Sequence, residues 1–277
     1  MLRESLFHRL DAHPDLFTKR GAAFLKVNGP AYEIECSSVN DSIVFLPPGD
    51  EKRFSIRLFL KGAAMNRASG VPGRSRELLL GAFPRKGPLV APQQVHGTDV
   101  IAASTGATLP ARPSADGVCV DRSGIEASLR FADCFPVVIA SLSPSPRIIL
   151  LHSGYKGTVQ NIAGRAARSL LGEKGAEPSE TWAWIGPGIG KEHYFRKKDE
   201  PWTKRGIESF SRHCVSEDGN DVFFDLGGEI RRQLKGAGIV DEMICSVPLC
   251  TFRDNDVCYS YRKGDRENRL FLLAWME

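Results

Sequence analysis

Residues 130–158, RFADCFPVVIASLSPSPRIILLHSGYKGT, decide how this chain folds. Two apolar runs, PVVIAS (136–141) and RIILLHS (147–153), flank LSPSPR, where Pro144 and Pro146 cannot continue a backbone ladder and so mark a hairpin-type turn. Polar alternation within the runs is poor, which is the pattern of strands buried on both faces and suits a parallel-type sheet. Beyond them, Val159, Ile162, Ala163, Ala166, Ala167, Leu170 and Leu171 recur at steps of three and four. That spacing predicts one helix with Thr158 as its N-cap. Cys134 and His152 stand at the edges of the two runs, where the chain enters and leaves the sheet.

Working outward, FSIRLFL (54–60), EASLRF (126–131), TWAWIG (181–186) and RLFLLAWM (269–276) read as further strands. Weaker helical patterns cover about 74–82, 200–213 and 226–237, the last stopped by the glycines of KGAG. No repeat, low-complexity tract or linker divides the chain. The expected fold class is α/β (α+β), with mixed β-sheets flanked by helices in a single compact domain over 1–277.

Composition sets the boundaries on function. Apolar residues at 42% and charged residues at 25% are ordinary for a soluble globular protein. The formal charge is +4, from 37 Lys and Arg against 33 Asp and Glu, and the basic residues are scattered, which argues against a nucleic-acid surface. The amino-terminal MLRESLFHRLDAHPDLFTKRG is broken by charge every few residues and lacks the apolar centre of a signal peptide. No stretch approaches the 18 or so apolar residues of a membrane span. Seven cysteines, without a Cys-x-x-Cys pair, read as reduced thiols in a cytoplasmic protein.

Three residues offer chemistry together. His96, in QQVHGTDV, joins Cys134 and His152 as a set of the right softness for zinc, with a fourth position left for water or substrate. They lie too far apart in sequence for a local zinc knuckle. Core packing, or a Cys134–His152 nucleophile pair, are the alternative readings. In LLHSGYKGT, a strand running through a glycine turn into a helix points free amides at the turn, where Lys156, Gly157 and Thr158 would welcome a small anion. The competing reading is that the glycines only permit a tight connection. GPGIG (186–190) lacks the Gly-x-Gly-x-x-Gly spacing of a dinucleotide loop and reads as a wall-forming turn. Near the carboxy terminus, Arg262, Lys263, Arg266 and Arg269 cluster with Tyr259 and Tyr261, one or two of these charges turning inward to a ligand.

Taken in order, QQVHGTDV, ADGVCV, GIEASLRFADCFPVVIA, LHSGYKGT, GPGIG and CTF…CYSYRK…NR resemble the peptidoglycan editing factor PgeF/YfiH family, also called laccase-domain proteins and purine nucleoside phosphorylases. The resemblance is strongest over about 91–191 and 250–275 and leaves a divergent segment over about 1–60. It implies zinc held by His96, Cys134 and His152, phosphorolysis of purine nucleosides, and deamination of adenosine. It also implies aspartates at Asp116 and Asp133, the latter as a proton shuttle. Phosphate would be fixed by Lys156, Gly157, Thr158 and Arg262. The chain departs from the family in its contracted FLKGAAMN loop (59–66), with Lys61 where arginine is usual and Asn66 at the leucine-asparagine step. It departs again at Tyr155-Lys156 for Trp-Arg, and at GPGIGKEHYF, which lacks the usual cysteine and Tyr-Glu pair. Two other classes stand beside this reading: a hydrolase in which Cys134 attacks an amide or peptidoglycan precursor with His152 as base, and an inactive zinc-binding module. Six histidines without a single His-x-His pair do not fit a multicopper centre, although His₂Cys is also a ligand set for one blue copper.

Overall fold

The structure, a computed structural model, describes residues 29–48 and 53–277. The amino-terminal stretch read above for a signal peptide lies outside these residues, as do His8 and His13. Two six-stranded sheets form the body. The first runs β1 (Ala31–Glu35), β2 (Ser42–Leu46), β3 (Phe54–Phe59), β15 (Leu270–Met276), β7 (Glu126–Phe131), β4 (Leu89–Val90). The second runs β14 (Ile244–Ser246), β10 (Thr181–Ile185), β8 (Phe135–Ser141), β9 (Arg147–Ser153), β6 (Gly117–Val120), β5 (Val100–Ala102). A smaller sheet joins β11 (Phe195–Lys197), β13 (Asp221–Phe224) and β12 (Val215–Asp218). All six strands expected from the apolar runs are present.

The second sheet is the middle layer, which is why its strands show no polar alternation. Val138, Ala140, Ile148, Leu150, Trp182 and Trp184 point into a core shared with the first sheet, beside Leu129, Phe131 and Leu272. The intervening Val137, Ile139, Ile149, Leu151, Ala183 and Ile185 point the other way, onto Ile162, Ala163 and Ala166 and onto Ile230 and Leu234. With both faces buried, period-two alternation is invisible in the sequence. The sheets are mixed, as expected, but the parallel-type reading of the central strands is corrected: β8 and β9 pair antiparallel from Phe135↔Ser153 to Ser141↔Arg147. Parallel pairing is confined to β10–β14, β4–β7 and β5–β6.

Helices α1 (Ala63–Ala68) and α2 (Pro72–Leu78) follow β3. The helix expected from Thr158 is in fact two: α3 (Tyr155–Val159), capped by Gly154, and α4 (Ile162–Arg168), capped by Asn161. Asn161 sits at φ 61°, and its side chain accepts the Gly164 amide at 3.1 Å. A left-handed residue interrupts the helix, and asparagine tolerates that conformation better than most side chains. Helices α5 (Pro201–Ser209) and α6 (Leu226–Gly236) match the weaker patterns, and Gly238 beyond α6 takes φ 111°, a glycine-type stop.

Arg76 of α2 is clamped to β7 by a fully buried bidentate pair, its Nε and Nη2 donating to Glu126 at 2.6 and 2.7 Å. Glu126 also accepts the Lys86 amide. Removing one partner strands a charge in the interior, so Glu126→Ala is expected to cost about 3–5 kcal/mol in urea unfolding, whereas the exposed Lys86–Glu277 pair is expected to contribute under about 1 kcal/mol.

Candidate active site

The hairpin register builds half of the site. Because Pro136 lies opposite His152, Cys134 and His152 are diagonal neighbours whose side chains leave the same face of the second sheet. Both project at the end of the layer between the two sheets, where the His152 ring lies 5.6 Å from that of Phe131. Cys134 is half-buried, following Asp133 in a left-handed turn at φ 78°, and His152 is buried.

His96 arrives from an exposed loop between β4 and β5, and a single carboxylate places it. Asp116, wholly buried just before β6, accepts the amides of Val95 (3.1 Å), His96 (2.9 Å) and Gly97 (2.6 Å). These bonds hold His96 at φ 60°, a left-handed conformation that the surroundings must stabilise. Asp116 Oδ1 also lies 2.7 Å from His152 Nδ1, and its carbonyl accepts the His152 amide. Burial opposes the charge on Asp116, but the hydrogen bond from His152, the Gly97 and Val95 amides and the attraction of His152 outweigh it, and the carboxyl is held below its ordinary range. An ionised carboxylate only accepts, so His152 Nδ1 carries a proton and Nε2 faces Cys134.

The ligand atoms of His96, Cys134 and His152 all lie within 4.8 Å of one another. Burial raises the Cys134 thiol, but the charge and hydrogen bond of His152 and contacts from His96 more than reverse this, bringing it down to about 6. Burial lowers His152, and Cys134 and Asp116 together raise it to about 9. In the metal-free protein the mutual attraction of Cys134 and His152 therefore favours the thiolate beside the protonated ring. Gly154 completes the arrangement by lacking a side chain: a Cβ there would stand 2.6 Å from Cys134 Sγ and 3.1 Å from His96 Cδ2. A thiolate, an imidazole with its outer nitrogen pinned by a carboxylate, and a second imidazole are a fitting donor set for zinc.

The three residues open onto a cleft of about 690 Å³. Its lining includes Arg130, Lys156, Arg196, Arg262 and Arg269 against one carboxylate, Asp133, together with Tyr155, Tyr194 and Tyr261. Arg130 donates to the Gly70 carbonyl, and Arg269 to the carbonyls of Asp265, Arg266 and Asn268. Among the described residues, neither has a carboxylate within salt-bridge distance. Burial, and the charges of Arg112 and Arg269, push Arg130 down to about 10, which makes an anion beside it favourable. Arg262 stacks on Tyr194 at 4.5 Å and donates to the Phe195 carbonyl, and exposed Lys156 lies 5.2 Å over the Trp202 ring. Asp133 Oδ1 accepts from Thr251 Oγ1 and Oδ2 from the Arg262 amide, both at 2.8 Å.

Gly157 and Thr158 do not reach the cleft. Both are buried in α3, and the Thr158 amide, expected to be free, donates to the Gly154 carbonyl at 2.8 Å while its hydroxyl bonds the same carbonyl. The Thr158 amide, expected to be free for an anion, is thus consumed within the first turn, because the helix starts back at Gly154. Arg130 and Arg196 take their place at the cleft. Arg130 stands only four residues before Cys134, and an arginine ending a buried apolar strand was the signal for it. Arg196 carried none, since it reaches the cleft through β11. Lys61 pairs with Asp265 and lies over Tyr259, whose hydroxyl donates to Asn66, so the contracted loop braces the carboxy-terminal wall.

Residues 72–277 match the family model described as multi-copper polyphenol oxidoreductase laccase. The chain belongs to this family. Among its relatives, a purine nucleoside phosphorylase of Xylella fastidiosa is 29% identical over 189 residues, covering 66% of this chain and 70% of that protein. Purine nucleoside phosphorylase YlmD of Geobacillus stearothermophilus is 27% identical over 276 residues, covering 95% and 97%. The crystal structure of Bacillus licheniformis YfiH superposes with a TM-score of 0.74 at 18% identity, covering 88% of this chain and 99% of that one. The YfiH-type fold and the family resemblance read from the motifs are thereby borne out. No helix among the described residues is long and apolar enough to cross a membrane.

Two outcomes follow from the geometry. In metal-free protein, alkylation of Cys134 by iodoacetamide, followed by mass spectrometry, is expected to slow as pH falls through about 6, because protonation removes the thiolate, and to stay fast at neutral pH. Gly154→Ala is expected to lower zinc occupancy at least tenfold while the protein remains folded, since the methyl group would enter the space between Cys134 and His96.

Proposed function

We propose that this protein is a zinc-dependent purine nucleoside phosphorylase with adenosine deaminase activity, working in the cytoplasm on small-molecule substrates. The observation that carries the reading is the cleft beside His96, Cys134 and His152: five cationic side chains, of which Arg196 is paired with Glu200, against one carboxylate in the lining, with three tyrosines in the same wall. Such a lining suits one planar aromatic ligand and one small polyanion together. The names of the relatives give the class of aromatic ligand. Seven cysteines without a Cys-x-x-Cys pair accord with a reducing compartment.

In phosphorolysis a phosphate oxygen attacks C1′ as the bond from C1′ to the purine nitrogen breaks, and the electron pair leaves with the base. Arg130 and Arg269, held by backbone carbonyls, are the proposed phosphate contacts, with Lys156 and Arg262 at the rim. Tyr194 and Tyr261 offer faces to the purine. Holding both reactants in line is the main contribution expected of the protein. Zinc, held by His96, Cys134 and His152, would supply Lewis acidity and water activation at the same spot. In deamination, Asp133 is the proposed proton carrier, positioned by Thr251 and the Arg262 amide. Laccase chemistry is not part of the reading, because each candidate ligand cluster among the described residues contains at most two histidines.

A second reading has one observation in its favour: with a thiolate near pKa 6 beside a protonated imidazole, Cys134 is also equipped as the nucleophile of an amide hydrolase. Substrate panels separate the two. Metal-replete protein given adenosine and phosphate is expected to release adenine and ribose 1-phosphate, and without phosphate to yield inosine slowly. Unchanged nucleosides, with acylation of Cys134 by an activated ester, would favour the hydrolase.

Arg130→Gln is expected to raise the apparent KM for phosphate tenfold or more, about 1.4 kcal/mol, with a smaller change for nucleoside. Lys156→Ala, at an exposed position, is expected to act in the same direction but more weakly. Equal effects on both substrates would remove these residues from the phosphate pocket.

A further inference from the structure

The glycine-rich loop GPGIGKEHYF has a feature that the cleft does not use. Ile189 and Tyr194 line the cleft, but the residues between them turn away from it. A 3₁₀ turn, Lys191–His193, presents Glu192 and His193 toward Cys250 on the neighbouring segment. Their ligand atoms all lie within 4.8 Å of one another, the same criterion met by His96, Cys134 and His152.

Cys250 and His193 are held in place, and Glu192 is exposed beside them. Cys250 is buried, and its sulfur accepts the amides of Gly190 at 3.1 Å and Arg253 at 3.5 Å. The His193 ring is stacked on Phe252 at 4.5 Å, which restricts its rotation, and His193 Nε2 lies 3.6 Å from Glu192 Oε1. Glu192 folds back over Gly190, where a Cβ would stand 2.7 Å from Oε1, so only glycine permits this pose. Arg253, whose amide reaches the sulfur, has its guanidinium forked onto Asp254 at 3.0 and 3.3 Å and does not stand as an unpaired positive charge beside the group.

We propose that Glu192, His193 and Cys250 form a second metal site, separate from the cleft, for a thiophilic divalent cation of the zinc type. Sulfur, imidazole and carboxylate donors exclude magnesium and calcium, which take oxygen ligands. Bond lengths of about 2.0–2.3 Å bring tetrahedral ligand atoms to about 3.3–3.8 Å from one another. Glu192 is exposed and can close that gap by side-chain rotation. The fourth position faces solvent and a second cavity lined by Gly188, Gly190, Glu192, Cys250 and Arg253. The ion would clamp two segments otherwise joined by the Gly188↔Cys250 bridge and the Thr251 amide bonded to the Gly188 carbonyl. Both segments support the cleft wall: Ile189 through its amide bond to the Asp133 carbonyl, Thr251 through the Asp133 carboxylate.

The test uses the full chain carrying His96→Ala and Cys134→Ser, which removes the first site. Metal-free protein is titrated with Co(II), read by thiolate-to-cobalt charge-transfer absorption, and Zn(II) is then used to displace it. The expected result is one equivalent bound with a thiolate band, against two in the unmodified chain. Adding Cys250→Ser should abolish the band. Adding His193→Ala, at a half-buried position that leaves the interior intact, should weaken Co(II) binding at least tenfold. Absence of a thiolate band in the first-site variant overturns the proposal, as does a band that persists in Cys250→Ser or an affinity unchanged by His193→Ala.

Discussion

The buried carboxylate of Asp116 is the constraint on which the candidate active centre depends. It accepts three consecutive backbone amides and the outer nitrogen of His152, so one side chain both bends the loop carrying His96 and fixes the orientation of the opposing imidazole. Hydrogen bonds to a charged acceptor are each stronger than neutral ones, and burial makes any unfilled lone pair expensive. The loop at Val95–Gly97 has no regular secondary structure and is exposed at His96. Backbone bonds at Gln93 and Asp99 tie the two ends of the loop to the segment entering β6, and the carboxylate holds the turn between them.

The remaining geometry follows from sheet register. Antiparallel pairing of Phe135 with Ser153 places Cys134 and His152 on one face, two residues apart diagonally, and a slip by one residue would send one of them to the opposite core. Gly154 then leaves room for the sulfur and His96. Cations gather at the open end of the two layers because strands of the first sheet and of the small third sheet end there: Arg130 from β7, Arg196 from β11, Arg269 from the residue before β15. Burial lowers both Arg130 and Arg269, and the charges of Arg112 and Arg269 lower Arg130 further, so an anionic ligand beside them is favoured.

Much of this was legible in the sequence, and the reasons for the rest are physical. The apolar runs gave all six strands, since each is long enough and bounded by glycine, proline or charge. Their direction was legible only where a turn signal joined them, as LSPSPR joins β8 to β9, because a middle-layer strand is apolar on both faces whether its neighbours run parallel or antiparallel. Val159 to Leu171 keeps helical spacing across a break, because Asn161 interrupts the backbone without disturbing the apolar face. Thr158 had the chemistry of an N-cap but lies inside the first turn, with its hydroxyl bonded back to Gly154. His96, Cys134 and His152 were readable as a donor set, whereas Asp116 as their organiser was not, because a carboxylate serving backbone amides leaves no mark in residue spacing.

The measurement that bears most directly on this account is the zinc affinity of Asp116→Asn. Asparagine preserves size but presents an NH₂ group where an oxygen now accepts backbone amides. The account predicts a 10- to 100-fold loss of zinc affinity in protein that still unfolds cooperatively. An unchanged affinity would contradict it and leave the centre organised by the hairpin alone.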